Sequence, residues 1–141
     1  MNSKKTDDLR TALKNASGIE SFLNDNAEAF TNPNIGDLIS AMISRKKISK
    51  AAVSRKAGMS EIYLHQIIGG KRNPSRNRLL CICLALEATP EETQELLKKG
   101  GYALLYVRSR RDSILMYALL HQLTLTQVND QLFTMGEEVL F

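Results

Sequence analysis

Two short helix patterns joined by a glycine turn, in the middle of the chain, constrain its fold more than any other feature. Ser49 is a suitable N-cap for a helix over Lys50–Ala57, because its hydroxyl can accept a hydrogen bond from the first helical turn. Gly58 follows as a helix stop, since glycine adopts a positive φ at little cost. Ser60 then caps a second helix over Glu61–Ile68. Two helices separated by about three residues that include a glycine predict a helix-turn-helix unit.

The stretch Ile48–Ser75 resembles the DNA-binding motif of the lambda-repressor-like family, also called the Cro/CI or XRE family. That family has a small residue within the first helix, a glycine turn, a small polar residue before the second helix, and a Gly-Lys-x-x-Pro-Ser exit. The residues that match are Ser54, Gly58, Ser60, the apolar anchors Leu64 and Ile67, and Gly70, Lys71, Pro74 and Ser75. The resemblance covers residues 35–86 and implies a helical DNA-binding domain.

Composition and periodicity favour an all-α protein. Leu, Ala, Ile, Lys, Glu and Gln dominate, and no alternating apolar pattern bounded by turns predicts a strand. We expect a lambda-repressor-like helix-turn-helix bundle over residues 34–88. An N-terminal helical arm, residues 1–33, precedes it, and a C-terminal helical extension, residues 89–141, packs on its core.

The N-terminal arm has the pattern of two helices between Asn2 and Phe30. Ser17 and Glu20 form a capping-box pattern for the second of them. Asn34 can cap the helix that follows the arm. Two interpretations of the arm remain open, a lid over the domain and a dimerisation arm.

A helical hairpin follows the motif. The segment Arg76–Glu87 is apolar on nearly every side and predicts a buried central helix. Thr89 and Glu92 form a capping box for the next helix, which Gly100–Gly101 ends.

Residues 111–141 resemble residues 76–106 at an offset of 35, which predicts an internal repeat. The aligned identities are Arg76 with Arg111, Leu80 with Leu115, Leu84 with Leu119, Thr89 with Thr124, Leu97 with Leu132, Gly101 with Gly136, and Leu105 with Leu140. We therefore expect a second hairpin that buries the open face of the first.

A basic segment, Tyr106–Asp112, joins the two copies. Asp112 is placed to favour a helix N-terminus, and we expect Arg110 or Arg111 to pair with it. Additional phosphate contacts by these two arginines and Arg108 are the alternative.

Charge is unevenly distributed along the chain. The net charge is +4, but residues 45–78 contain ten Lys or Arg and a single acid, Glu61. The flanking segments 1–44 and 79–141 carry −2 and −3. A basic middle segment that coincides with the helix-turn-helix pattern indicates a phosphate-binding surface.

The resemblance implies base-reading positions at Glu61, Ile62 and Gln66, on the outward face of the second helix. Gln66 suits an adenine edge, Ile62 a thymine methyl group, and Glu61 a cytosine amine. The residues expected to contact phosphates are Lys50, Ser60, Tyr63, Lys71 and Arg72.

The sequence predicts no cofactor, metal site or membrane span. Cys81 and Cys83 favour buried free thiols, and His65 and His121 complete no zinc pattern. No apolar run reaches the roughly 18 residues of a spanning helix, and the N-terminus lacks a signal-peptide core. We expect a cytoplasmic protein.

The expected function is that of a sequence-specific DNA-binding transcriptional regulator, a repressor, acting on double-stranded DNA as a homodimer. Two-fold symmetry would bring two recognition helices to half-sites one helical turn apart. The alternative is a protein–protein interaction module on a retained repressor scaffold. No catalytic constellation is present, so an enzyme is not expected. The pattern identifies no small-molecule effector.

Overall fold

A computed structural model describes residues 6–26 and 34–141, and every regular element within them is an α-helix. Contacts divide the chain into two units, residues 1–32 and residues 33–141. None of the described helices has the length and apolar character of a membrane span. The all-α prediction is confirmed.

The first unit contains two contacting helices, α1 (Thr6–Asn15) and α2 (Ile19–Asp25). The N-cap of α2 is Gly18, and no side chain accepts a hydrogen bond there. The predicted capping box of Ser17 and Glu20 is therefore wrong, because Ser17 lies one residue before the N-cap position. The rest of the predicted second helix, through residue 30, extends beyond the described residues. The choice between a lid and a dimerisation arm stays a prediction.

The second unit contains seven helices in its described part. They are α3 (Ile35–Lys46), α4 (Lys50–Lys56), α5 (Glu61–Ile68), α6 (Arg76–Ala85), α7 (Pro90–Gly100), α8 (Arg110–Leu120) and α9 (Leu125–Thr134). Asn34 is the N-cap residue of α3, but its amide donates to the Asp37 carboxylate and its oxygen accepts no capping bond. The proposed boundary near residue 88 lies inside this unit and stays a prediction.

The core is centred on α6, whose residues 79–85 are all buried. Helices α4, α7 and α9 contact it. Cys81 and Cys83 are free and buried, as predicted. Burial raises the pKa of the Cys81 thiol to about 11 and that of Cys83 to about 12, so both stay protonated at neutral pH.

Three helix corners share one local geometry. In each, a residue with a positive φ ends one helix, and a Ser or Thr two residues later caps the next helix. The pairs are Lys47 and Ser49, Glu87 and Thr89, and Gln122 and Thr124. Because Glu87 takes a φ of 52°, α6 ends two residues before the predicted position.

Two hairpins, α6–α7 and α8–α9, form the same side-chain hydrogen bonds 35 residues apart. The Arg76 guanidinium donates to the carbonyl oxygens of residues 103 and 104, and Arg111 donates to those of residues 138 and 139. The capping box of Thr89 recurs at Thr124. These recurring bonds support the interpretation of residues 76–106 and 111–141 as two copies of one unit.

The two hairpins pack on each other reciprocally. Helix α6 contacts α9 and α7 contacts α8. Arg76 crosses to Asp112 with two hydrogen bonds of 3.2 and 3.0 Å, and Arg111 crosses back to the Asn77 amide oxygen at 3.1 Å. Because residues 77 and 112 are equivalent at the offset of 35, these bonds are related by an approximate two-fold axis.

The partner of Asp112 differs from the prediction. Asp112 is buried and pairs with Arg76, not with Arg110 or Arg111. Arg110 instead pairs with Glu137 at 3.1 Å. The physical reason is that the Asp112 side chain points into the contact between the hairpins, where Arg76 already binds the segment after α7.

Candidate nucleic-acid interface

Helix α5 is fixed at its N-terminus and along its inner face. The Ser60 hydroxyl oxygen accepts a hydrogen bond from the Tyr63 amide at 3.1 Å, as the cap pattern predicted. Leu64 and Ile67 are fully buried, and α5 packs on α3 and α4. The opposite face of α5 carries the exposed side chains of Glu61, Ile62 and His65.

Gly36 in α3 sets the distance between α3 and α5. A Cβ atom at this position would overlap with the backbone carbonyl oxygen of Ile68 and lie 2.7 Å from that of Ile67. Backbone therefore meets backbone at this crossing. Sequence reasoning missed Gly36, since a glycine inside a helix pattern does not reveal which element approaches it.

The three predicted base-reading residues lie on one side of α5. Glu61 and Ile62 are exposed, and Gln66 is half-buried one turn further on. Glu61 has no ion-pair partner among the residues that the structure describes. The helix thus presents a carboxylate, a branched apolar side chain and an amide next to one another.

The chain after α5 turns back against the end of the helix. Gly70 has a φ of 80°, and the amides of Lys71 and Arg72 then donate to the Gln66 carbonyl oxygen at 2.9 and 3.2 Å. Both basic side chains are exposed. Two cations are in this way held beside the Gln66 end of the predicted reading face.

Tyr63 lies between two arginines at the edge of α5. The guanidinium carbons of Arg72 and Arg78 are each 6.0 Å from the centre of its ring. Arg78 also lies 5.0 Å from the Phe141 ring. Sequence reasoning counted Arg78 as one more basic residue, because nothing in the local pattern shows which aromatic rings it meets.

The remaining predicted phosphate contacts are at helix starts. Lys50 is exposed at the first position of α4, whose N-cap Ser49 accepts a hydrogen bond from the Ala52 amide. The Ser60 oxygen is used in capping, so its proton remains available to a phosphate oxygen. The packing of α4 on α5 brings these two helices together.

Ion pairs divide the basic segment into two groups. Within the described residues, Arg45 and Lys46 pair with Glu92, and Arg76 pairs with Asp112. A 2.7 Å hydrogen bond from Lys46 is the main cause that lowers the pKa of Glu92 to about 2. The seven other basic residues have no ion-pair partner there: Lys47, Lys50, Arg55, Lys56, Lys71, Arg72 and Arg78. The unpaired charge is thus concentrated on the helix-turn-helix.

The second hairpin contacts the turn of the helix-turn-helix. Gly58 has a φ of 68°, and a Cβ atom there would lie 2.7 Å from the Phe141 ring and 3.2 Å from the Leu125 side chain. The turn is therefore supported by a segment far away in sequence.

Comparison with known proteins gives one match. Residues 35–97, a little under half of the chain, match the family model described as a Cro/C1-type helix-turn-helix DNA-binding domain. The matched region runs from α3 through most of α7. No curated protein and no solved structure matched the chain. The family is one of DNA-binding regulators and not of enzymes. Over residues 35–97 the chain is therefore similar to a Cro/C1-type helix-turn-helix DNA-binding domain, as the resemblance to the lambda-repressor-like family predicted.

Proposed function

We propose that this protein is a sequence-specific transcriptional repressor that inserts α5 into the major groove of its operator. The observation that carries the proposal is the outward face of α5, where Glu61, Ile62 and Gln66 stand beside the unpaired cations Lys71 and Arg72. An α-helix fits the major groove, where the edges of the four base pairs differ in their hydrogen-bond patterns.

The three reading residues have distinct roles in the proposal. The Gln66 amide offers a donor and an acceptor, which suit the two exposed groups of adenine. Ile62 packs on a thymine methyl group. Glu61 accepts from a cytosine amine, whose N–H donor faces the major groove.

The phosphate contacts hold α5 in register. Lys71 and Arg72 reach the backbone at one end of the helix, and Tyr63 adds its hydroxyl. Ser60 and Lys50 act at helix starts, where exposed amides and the helix dipole also favour phosphate oxygens. Because two recognition helices read a two-fold symmetric operator, the protein acts as a homodimer on double-stranded DNA.

Selection of bound DNA from a random pool tests the proposal most directly. We expect a symmetric site whose halves are about one helical turn apart. We also expect binding that weakens steeply as salt rises, because phosphate contacts release counterions. A pool that yields no enriched sequence would contradict sequence-specific reading.

Two substitutions separate base reading from phosphate binding. Gln66→Ala should lower discrimination at one base position by about 1–3 kcal/mol. Lys71→Ala should weaken all sequences alike and reduce the salt slope by about one. Lys98→Ala is the matched control, because Lys98 is an exposed lysine on α7, and it should change neither property. Equal effects of Lys71→Ala and Lys98→Ala would count against the proposed contact.

Repression follows if the bound protein occupies promoter DNA. A reporter that carries the selected site within its promoter should lose expression when the protein is produced. Increased expression would show activation instead.

The unpaired carboxylate of Glu61 favours a second candidate function, a protein–protein interaction module on the same scaffold. A carboxylate near DNA is repelled by the phosphates, and this repulsion is offset only if the carboxylate accepts a hydrogen bond from a base amine such as that of cytosine. Glu61→Gln distinguishes the two. If the protein reads DNA, the variant loses preference for cytosine at one position. If the wild-type protein binds no DNA at low salt while a protein partner co-purifies with it, the interaction module is favoured.

A further inference from the structure

The outward face of the second hairpin is apolar and open to solvent. Helices α8 and α9 form a groove of about 590 Å³, lined by Arg110, Ser113, Ile114, Tyr117, Gln131 and Met135. Tyr117 is 50% exposed and Leu120, one turn further along α8, is 65% exposed. A contiguous apolar surface of this kind is typical of an interaction site.

The first hairpin shows what such a face does when it is covered. At the offset of 35, Tyr117 is equivalent to Ile82 and Gln131 to Leu96, and both residues of the first hairpin are buried. Gly100, which is equivalent to Met135, packs so closely that a Cβ atom would lie 2.9 Å from the Ile35 side chain of α3. In the first hairpin this face therefore packs on α3, whereas in the second hairpin it is open to solvent.

Charge limits what can cover the open face. Residues 113–136 contain one charged residue, Asp130. Arg110, at the rim of the groove, already pairs with Glu137. Nucleic acid, an anionic lipid surface or a charged peptide would find no complementary charge there. The partner that fits is another uncharged, apolar helical face.

We propose that this face, made of Ile114, Tyr117, Leu120, Gln131 and Met135, is the homodimer interface, with α8 and α9 of one protomer packed on those of its partner. This inference rests on the proposed function, which needs two recognition helices. A two-fold axis packs this face against the same face of the partner protomer. Because the face is apolar and has few charges, no like charges meet across such an interface. The two hairpins within the chain already pack on each other in this reciprocal manner.

Sedimentation equilibrium without DNA tests the interface. We expect the full chain to sediment as two 15.8 kDa protomers. Tyr117→Glu should weaken dimerisation by at least about a hundredfold, since the symmetric interface would bury the carboxylate twice. The milder Tyr117→Ala should weaken it about tenfold, and unchanged circular dichroism would show that both variants fold.

Phe133→Glu is the matched control. Phe133 is 78% exposed, and it is equivalent to the exposed Lys98 of the first hairpin, so a carboxylate there should leave the dimer intact. A monomeric wild-type protein would overturn the proposal, whatever else covers the face. An undiminished dimer of Tyr117→Glu, or equal effects of Tyr117→Glu and Phe133→Glu, would overturn it as well.

Binding to a single half-site separates this inference from the proposed function. Tyr117→Glu should bind one half-site as the wild-type protein does and lose the added affinity for two. A dimer that dissociates as expected but reads no DNA sequence would disprove only the proposed function. A wild-type protein that is monomeric and still reads its half-site would disprove only the proposed interface.

Discussion

The two hairpins have nearly the same internal hydrogen bonds but bury different faces. Capping boxes, positive-φ glycines and an arginine that binds two carbonyl groups recur in both. The side chains at equivalent positions differ, with the buried Ile82 and Leu96 in one hairpin and the exposed Tyr117 and half-buried Gln131 in the other. A small set of polar residues therefore defines the hairpin, and the apolar side chains determine what it packs against.

The largest expected difference between the hairpins is in the stability that their equivalent arginines, Arg76 and Arg111, contribute. Arg76→Ala should lower the free energy of unfolding by about 3–5 kcal/mol, because it leaves the buried carboxylate of Asp112 without its cation. Arg111→Ala removes bonds to a neutral amide and to carbonyl groups, so it should cost about 1–2 kcal/mol. Urea denaturation with an unchanged m-value measures both.

A second substitution at Asp112 refines this prediction. Asp112→Asn makes the residue equivalent to Asn77 and removes the buried charge. In that background Arg76→Ala should cost about as little as Arg111→Ala does, roughly 1–2 kcal/mol. Equal costs of the two arginine substitutions in the wild-type background would show that the charge of Asp112 contributes nothing to the asymmetry.

The capping boxes should differ in their response to pH. Glu92 has a folded pKa of about 2 against an ordinary 4.5, chiefly because Lys46 donates to it, whereas the equivalent Gln127 is uncharged. Since the folded pKa is the lower one, the stabilisation is present above pH 4.5 and is lost as the pH falls towards 2. Glu92→Gln should therefore cost about 1 kcal/mol at neutral pH and progressively less in acid.

Chemical denaturation at a series of pH values tests this expectation. Gln127→Glu is the control, because it places a carboxylate in the other capping box. Arg45 and Lys46 lie outside the repeated segment and have no counterpart there, so the pH dependence of the Gln127→Glu variant should be weaker. A Glu92→Gln variant whose stability falls with acid as steeply as that of the wild-type protein would contradict the assignment to Glu92.

The smallest expected effect is at a buried hydroxyl that only the first hairpin has. Thr93 is fully buried, and in the described part of the chain its hydroxyl meets only the Cys83 thiol, a weak hydrogen-bonding group; Val128 is its equivalent. Thr93→Val should raise the free energy of unfolding by up to about 1 kcal/mol, and Val128→Thr should lower it by about 1–2 kcal/mol. The melting temperatures of the two variants, compared with that of the wild-type protein, test both expectations. A destabilised Thr93→Val would show that the contact with the Cys83 thiol stabilises the fold by more than the burial of the hydroxyl costs.

Local signals in the sequence were sufficient for most of the helices. Ser49, Ser60, Thr89 and Thr124 all cap the helices that they precede. These residues act over three or four positions, so their effect can be derived from the chain itself. The helix-turn-helix resemblance was equally local, and the family match confirms it.

Contacts between distant segments could not be predicted in the same way. Three arginines, at positions 108, 110 and 111, lie close to Asp112 in sequence, but the packing of the two hairpins makes the distant Arg76 its partner. The same holds for Arg78 between Tyr63 and Phe141. The roles of the three reading residues stay a prediction, because Glu61 and Ile62 are exposed, Gln66 is half-buried, and no contact within the described residues reveals what they bind.

The close crossing at Gly36 has a consequence for how such a protein can change its specificity. Because α3 and α5 meet there through backbone atoms, the tilt of α5 does not depend on its outward side chains. The proposed reading residues 61, 62 and 66 could then be exchanged without a change in the tilt of the helix. Substitutions at these three positions, in evolution or in design, would therefore keep the orientation of α5. Only the chemical groups on its outward face would change.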